Sequence, residues 1–138
     1  MNYLDIINRM AVLGDALQLQ LPAKTKAETL LLRAHYAKGI KEWQAAMEQI
    51  NNDTKPADGK ERSEEEQKSY DEAFNTKAKE DAALVDRRYT TEAFEGLCSA
   101  IGDKEEIISA LARNDKGEMQ PIPAISWLEI VANTLVQE

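Results

Sequence analysis

A long apolar stripe, followed after a polar break by a second helical pattern, constrains this fold more than any other feature. Residues 23–50 place large apolar side chains three or four positions apart, which is the spacing of one helix face. At 1.5 Å per residue, such a helix would reach roughly 42 Å. A compact domain of this size does not need that length, so part of the helix is expected to project.

The segment after this helix carries the signals of a reversal. Residues 51–62 include Asn-Asn, Lys-Pro and Asp-Gly pairs and no large apolar side chain, which indicates a loop. Ser63 stands three positions before Glu66, the arrangement of a capping box, and the acids between them suit the positive end of a helix dipole. The chain is therefore expected to turn back and to begin a second helix at Ser63.

The returning helix has a thin apolar face, so it needs a partner to be stable. The sequence predicts an antiparallel hairpin formed by residues 23–50 and 63–85 and held by the two facing stripes. We expect the part of these stripes that the hairpin leaves uncovered to bind other molecules. The candidate interaction and core face consists of Leu32, Tyr36, Ile40, Trp43, Met47, Ile50, Tyr70 and Phe74.

An amphipathic helix precedes the hairpin, and short helices follow it. Residues 1–22 repeat apolar side chains at helical spacing as far as Leu21 and Pro22, where a tight break is expected. Residues 86–138 are interpreted as a C-terminal cap. The prediction is one all-α domain over residues 1–138, a long antiparallel helical hairpin joined to a cap of short helices.

Three helix patterns are visible in the C-terminal cap. A threonine, Thr90 or Thr91, offers an N-terminal cap for the first, and Gly102 is expected to end it. Asp103 opens the second, and the apolar run that follows would lie inside it. Ser126 begins a second capping box before the last helix.

Two prolines interrupt this helical pattern. Pro121 and Pro123 fix their own φ and restrict the residues before them, so the chain around them must be extended. Residues 84–89 are ambiguous, because their apolar side chains fit either a helix or a short strand. These observations leave open one short β-ribbon that pairs about 84–89 with 118–123.

The charge balance excludes several classes of function. The chain has 138 residues, of which 17 are Lys or Arg and 25 are Asp or Glu, giving a formal net charge of −8. Binding to nucleic acid needs clustered cations, so no direct nucleic-acid partner is expected. No apolar run approaches the roughly 20 residues that span a bilayer, and the N-terminus lacks a signal-peptide pattern. We therefore expect no membrane partner and a cytoplasmic or virion setting.

His35 and Cys98 are the single histidine and the single cysteine. His35 lies beside the apolar stripe of the long helix with no Ser or Cys near it, and Cys98 lies on an apolar stripe without a neighbouring His. Both are interpreted as structural residues. The sequence predicts no catalytic residue, no cofactor or cofactor-binding residue, and no metal ligand.

Carboxylates are the abundant reactive groups, and they define an alternative function. A Mg²⁺-dependent all-α nucleotide pyrophosphatase holds its metal with helical acids three or four positions apart on an inward face. Here the acids alternate with Lys and Arg, which is typical of a solvated helix face with ion pairs. The acids concerned are Glu61, Glu64, Glu65, Glu66, Asp71, Glu72, Glu80, Asp81 and Asp86.

Three features follow one another along the chain: the break at Leu21 and Pro22, the hairpin, and the run Pro-Ile-Pro-Ala-Ile at residues 121–125 before the last helix. In this order the chain resembles a family of small tailed-phage proteins. The resemblance implies a phage or prophage origin and a place in the bacterial host cell or in the virion. It carries over no activity and no functional residues.

These observations predict a non-enzymatic interaction protein, a virion structural or assembly component that acts through self-association of helix faces. Its expected partners are further copies of itself or other phage proteins. A second hypothesis is an acidic antagonist of a basic host defence or nucleic-acid-binding protein, since a surface of net charge −8 can mimic a phosphate backbone. Salt separates the two, because high salt weakens charge pairing and not apolar contact.

Overall fold

Five helices and two strands form the part of the chain that the computed structural model describes, residues 1–56 and 60–137. The predicted mainly helical class is confirmed, with one small antiparallel sheet of two strands. Among the described helices, none is both long and apolar enough to cross a membrane. The elements in chain order are α1 (Tyr3–Ala16), α2 (Ala23–Thr54), α3 (Glu64–Ala78), α4 (Thr91–Ile101), β1 (Glu106–Arg113), β2 (Met119–Pro123) and α5 (Ala124–Leu135).

The first helix is shorter than predicted, and the break after it is confirmed. α1 begins with a capping box between Asn2 and Asp5 and ends at Ala16. The chain then turns, because the Leu19 N–H bonds back to the Ala16 carbonyl (3.0 Å). Pro22 stands directly before the first residue of α2, where its missing N–H has no helical partner to lose.

The helix α2 is the axis of the domain, because α1, α3 and α4 all pack against it. Its 32 residues give it a length of about 48 Å. The predicted end at residue 50 is wrong, since the helix continues to Thr54. The Gln49 amide donates to Asp53 (2.8 Å) and the Thr54 hydroxyl donates to the Ile50 carbonyl (2.8 Å), so polar side chains support the last turn. Residues 57–59 of the predicted loop lie outside the described residues.

The second hairpin helix, α3, begins as predicted and ends earlier. The Ser63 hydroxyl accepts a hydrogen bond from the Glu66 N–H (3.2 Å), and the Glu66 carboxylate accepts one from the Ser63 N–H (3.0 Å), so the capping box is confirmed. The predicted extension to residue 85 is wrong, because α3 ends at Ala78. Residues 80–90, which we call the strap, then run antiparallel to α2, since Arg87, Tyr89 and Thr90 bond in turn to Tyr36, Thr29 and Glu28.

Side chains of α2 hold the strap by bonding to its backbone. The His35 Nε2 atom lies 2.7 Å from the Val85 carbonyl oxygen, and the Tyr36 hydroxyl accepts a hydrogen bond from the Arg87 N–H (2.9 Å). These partners are 50 and 51 positions apart in the sequence. The spacing of apolar residues along the sequence therefore does not reveal that residues 84–89 lie outside α3.

A β-ribbon is present, and its strands differ from the predicted pair. β2 pairs antiparallel with β1, with Glu106 opposite Pro123 at one end, so residues 84–89 are not its partner. The helix predicted to open at Asp103 is also wrong, because β1 occupies that part of the chain.

Burial along β1 explains why this segment is a strand. Ile107 and Ser109 are buried, whereas Ile108 between them is 57% exposed. This alternation has the period of two that a strand produces when one face packs on a neighbour, here α1. Two consecutive isoleucines are also compatible with a helix. The pairing with β2 therefore decides that this segment forms a strand.

The remaining helix boundaries test three capping predictions. Thr90 caps α4 by accepting a first-turn backbone N–H (3.2 Å), and Gly102 ends that helix with φ of +55°, where glycine is favoured. The capping box at Ser126 is wrong, because α5 begins earlier, at Ala124. β2 leads directly through Pro123 into α5, so the ribbon sets the start of this helix.

The core lies where α1, α2, α4 and α5 meet, at the end of the domain away from the hairpin tip. Fully buried side chains from these four helices and from the strap fill it, so the hairpin tip contributes little to it. The largest of them are Trp127, Tyr36, Tyr89, Ile6, Leu13, Leu97 and Leu135.

An ion-pair cluster joins the strap to α1 and predicts a loss of stability in acid. Hydrogen bonds from Arg88, together with Arg9, hold the pKa of Asp86 at about 2 against the opposing effect of partial burial. In the unfolded chain this carboxyl keeps its ordinary pKa of 3.8, so it takes up its proton first as the pH falls. Asp86 therefore stabilises the fold above about pH 4, and this contribution disappears as the pH falls toward about 2.

Urea unfolding of the wild type and of Asp86→Asn at a series of pH values measures this contribution. We expect the wild type to be the more stable of the two near pH 7 and the difference to shrink between about pH 4 and about pH 2. A difference that stays constant over this range would contradict the assignment.

Candidate functional site

The predicted interaction face of the hairpin is largely internal. Leu32, Tyr36 and Trp43 are buried, and the Trp43 ring lies 6.0 Å from that of Tyr3 and 5.2 Å from that of Phe74, measured between ring centroids. This face therefore joins α2 to α1 and α3 within one chain and leaves little apolar surface for a partner. Its other members, which are partly buried, are Ile40, Met47, Ile50, Tyr70 and Phe74.

Several acids of the hairpin act as helix caps and as polar partners on the surface. Glu66 caps α3, Asp71 accepts a hydrogen bond from Gln67 (2.9 Å), and Glu80 pairs with Lys77 (3.3 Å). In the described part of the chain, no group of three or more His, Cys, Asp or Glu side chains is arranged to hold a metal ion.

His35 and Cys98 occupy different surroundings. His35 is 7% exposed, its ring is bonded to the strap, and it packs edge-on against Tyr36 with 4.9 Å between ring centroids. Cys98 is on the surface of α4, where partial burial of the thiol raises its pKa. The fraction of reactive thiolate at neutral pH is therefore lower than for an ordinary cysteine.

A groove of about 1050 Å³ lies between α1, α2 and the ribbon. Its walls come from one face of α1 and the turn after it, from α2, and from both strands. The groove is open to solvent along one side, as a surface that accepts a protein segment would be. Its large apolar wall residues are Ile7, Met10, Leu19, Ile40, Ile107, Ile108 and Met119.

The buried carboxylate of Asp15 fastens the walls of the groove together. Asp15 is 2% exposed, and it accepts hydrogen bonds from the Ser109 hydroxyl (2.6 Å), the Ala110 N–H (2.9 Å) and the Trp127 indole N–H (3.2 Å). These bonds join α1 to α5 and to β1, at the point where the register of the ribbon shifts. With its donors in place, the carboxylate is a structural acceptor and keeps the ribbon at a fixed distance from α1.

Gly14 leaves the backbone of α1 bare at the wall of the groove. A Cβ added there would meet no atom of the described residues within 4 Å, and its φ is not positive. Glycine inside a helix costs about 1 kcal/mol relative to alanine. The fold of one chain gives no reason for glycine here, whereas the close approach of another molecule to the helix backbone would.

The rim of the groove is cationic although the whole chain has a net charge of −8. Arg33, Lys104 and Arg113 line it and are exposed, together with the exposed acid Glu106. The Arg113 guanidinium donates to the Gly117 carbonyl (2.6 Å), which places it at the turn of the ribbon. The groove therefore combines apolar walls with a rim that attracts negative charge.

Sequence reasoning missed this groove because two of its walls depend on β1. One signal was available: Asp15 interrupts the apolar stripe of the first helix between Leu13 and Ala16. A carboxylate at that position is costly to bury without partners, so it indicates that donors must come from elsewhere in the chain. The sequence does not say which donors they are.

Comparison of the chain with protein-family models, with curated proteins and with solved structures found no match in any of the three. The geometry and charge of the groove are therefore the basis on which a function is proposed.

Proposed function

We propose that this chain is a non-enzymatic interaction protein and that it binds its partner through the groove. The observation that carries the proposal is an open apolar surface, with the bare backbone of Gly14 on one wall and the exposed side chain of Ile108 on another. Contiguous apolar surface rimmed by polar residues is typical of protein-binding sites.

The ionisable groups around the groove support binding rather than chemistry. Asp15 is the buried acid of the groove, and its carboxylate oxygens already accept three hydrogen bonds from other parts of the chain, so it acts as a structural acceptor. The exposed cations, Arg33 and Lys104 among them, attract an acidic partner without forming a reaction centre.

Small organic probes test whether the groove is a binding surface. Isopropanol titrated into isotope-labelled protein is expected to shift the amide resonances of Gly14, Ile108 and Ala110 most, because apolar probes collect at apolar binding sites. Nuclear magnetic resonance measures these shifts residue by residue in the intact chain.

Two isoleucines provide a matched pair of variants for this test. Ile108 lines the groove and is 57% exposed, whereas Ile125 is 68% exposed and does not line it. Ile108→Asp is expected to reduce the shift at Gly14 by about half or more, since it removes apolar wall area, and Ile125→Asp should leave it unchanged. Shifts that are as large around Ile125 as around Ile108 would contradict the proposal.

In the phage setting that the resemblance implies, the partner is a further copy of this chain or another phage protein in the virion or the infected cell. The acidic antagonist stays a prediction, and it requires binding to a basic host protein that weakens steeply as salt is added. The nucleotide pyrophosphatase hypothesis predicts product from nucleoside triphosphates and Mg²⁺, which an assay of the purified chain checks directly.

A further inference from the structure

Resting on the proposed function, we infer that the groove takes up an extended, acidic segment of another protein, which adds a third strand to the ribbon beside β1. Two independent observations support this occupant: the backbone groups that β1 turns toward the groove, and the charge of the rim. The first sets the conformation of the segment, and the second sets its composition.

The side of β1 that faces away from β2 is a strand edge. In an antiparallel pair, every second residue bonds to the partner strand, and the residues between turn their backbone groups outward. Ile108 stands opposite Pro121, which has no N–H to donate, and the Glu105 carbonyl accepts a hydrogen bond from the Ala124 N–H (2.8 Å). The odd-numbered residues therefore bond to β2, and Glu106 and Ile108 turn their N–H and carbonyl groups away from it.

The next outward position follows the same direction and marks where the edge closes. The Ala110 N–H donates to the Asp15 carboxylate on α1 (2.9 Å), so it points away from β2 as the alternation requires. Among the described residues, none pairs with the outward backbone groups of Glu106 and Ile108. Both residues line the groove, and each offers one donor and one acceptor. An unpaired edge of this kind is a template for another strand.

The geometry of an added strand sets the pattern of its side chains. Residues opposite Glu106 and Ile108 would bond to β1, with their side chains on the same exposed side of the sheet as that of Ile108. The residue between them would stand opposite Ile107, which is buried toward α1, so its side chain would meet the apolar wall that includes Ile7 and Met10. The segment therefore alternates, with apolar side chains at the positions that do not bond to β1.

The rim sets the charge of the remaining positions. Arg33, Lys104 and Arg113 line it, and Glu106 is the exposed acid among the lining residues. These cations attract acids to the groove, although the chain as a whole has a net charge of −8. They oppose a second copy placed groove to groove, since the same cations would then meet. The outward side chains of the segment are therefore acidic.

A peptide of about eight residues that alternates glutamate and valine tests this inference when it is titrated into the full chain. Calorimetry should give a Kd below about 1 mM, and the amide resonances of Glu106 and Ile108 should shift. The matched peptide of lysine and valine should bind at least about tenfold more weakly, because like charges meet at the rim. Equal affinity for the two peptides, or shifts confined to other parts of the chain, would overturn the acidic segment as the occupant.

Two methylated forms of the glutamate–valine peptide test strand addition itself. In the expected register, the glutamate N–H groups face β1 and the valine N–H groups face away from it. N-methylation of every glutamate should weaken binding about tenfold or more, because it removes the donors and places methyl groups against the strand. N-methylation of every valine puts the methyl groups on the far side and should change the Kd by less than about threefold. Equal losses would show that no strand is added.

A pair of variants tests the rim with equal changes in net charge. Lys104 lies on the rim, whereas Lys38 is five residues after Arg33 on α2 and so points about 140° away around the helix. Lys104→Glu is expected to raise the Kd of the acidic peptide about tenfold, and Lys38→Glu should change it far less. Far-ultraviolet circular dichroism confirms that each variant is folded. Equal effects of the two changes would contradict the role of the rim.

The outcomes separate the occupant from the binding site. If isopropanol collects beside Gly14 and the acidic peptide does not bind up to about 1 mM, the groove stands as the binding surface and this occupant is wrong. If neither the probe nor the peptide collects there, the proposed binding site itself fails.

Discussion

Asp15→Ala is expected to lower the free energy of unfolding by about 4 kcal/mol, a large share of the stability of a domain of this size. The substitution removes the acceptor of three buried hydrogen bonds. The Ser109 hydroxyl can rotate toward another acceptor, but the Ala110 N–H and the Trp127 indole N–H are fixed by the backbone and by the packed ring. A buried donor left without a partner costs about 1–3 kcal/mol, and here two are left.

Urea unfolding followed by tryptophan fluorescence measures this loss, and Asp15→Asn is its matched control. The amide keeps one carbonyl oxygen as an acceptor in almost the same volume, so we expect it to lose only about 2 kcal/mol. The slope of stability against urea should stay the same, since the folded state is otherwise intact. A loss below about 1 kcal/mol for Asp15→Ala would show that the carboxylate does not hold the ribbon to α1.

Gly96→Ala is expected to be the second most damaging change, at about 3 kcal/mol. Gly96 lies on α4 where that helix meets α2, and an added Cβ would stand 1.9 Å from the Thr25 Oγ1 atom and 3.0 Å from its Cβ. Thr25 cannot easily yield, because it is 2% exposed and its hydroxyl donates to the Ala93 carbonyl (3.1 Å). The two helices must therefore separate, and their buried contact is lost.

Glycines in open space provide the control for this substitution. Gly14→Ala meets nothing within 4 Å in the described part of the chain, so it should stabilise α1 by up to about 1 kcal/mol. Thermal unfolding of both variants is the measurement. Combining Gly96→Ala with Thr25→Ala should lower the free energy of unfolding by less than the sum of the single changes. The alanine at position 25 lacks the Oγ1 atom that the added Cβ would otherwise meet at 1.9 Å. A Gly96→Ala variant as stable as the wild type would mean that α4 does not pack this closely on α2.

Helix starts and ends were predicted correctly from the sequence where the capping residue and the group it caps lie within about one helical turn. The capping box of Ser63 and Glu66, the cap at Thr90 and the end at Gly102 all occur as predicted. Each depends on residues at most four positions apart, so the chain carries the complete information in one short segment. The capping box at Ser126 fails because a strand that leads into α5 competes with it.

The sequence predicted correctly that two helices form an antiparallel hairpin, but it misplaced the C-terminal end of each helix. The stripe from Leu32 to Met47 correctly indicates one long helix, yet periodicity does not show what the stripe faces. Trp43 is 9% exposed because α1 and α3 cover it, through Tyr3 and Phe74. The same residues would look identical in the sequence if another copy of the chain covered them.

The amino-acid sequence by itself determined the helical class, the break at Pro22, the hairpin and most helix starts, because spacing and capping act over three or four residues. Tertiary structure alone decided that residues 106–113 form a strand and that the strap leaves α3. It alone placed Asp15 among donors that lie 94, 95 and 112 positions away. Short apolar runs and isolated polar residues satisfy several local structures about equally, so distant partners choose between them. The groove is a product of those distant contacts, which is why the folded chain was needed to find it.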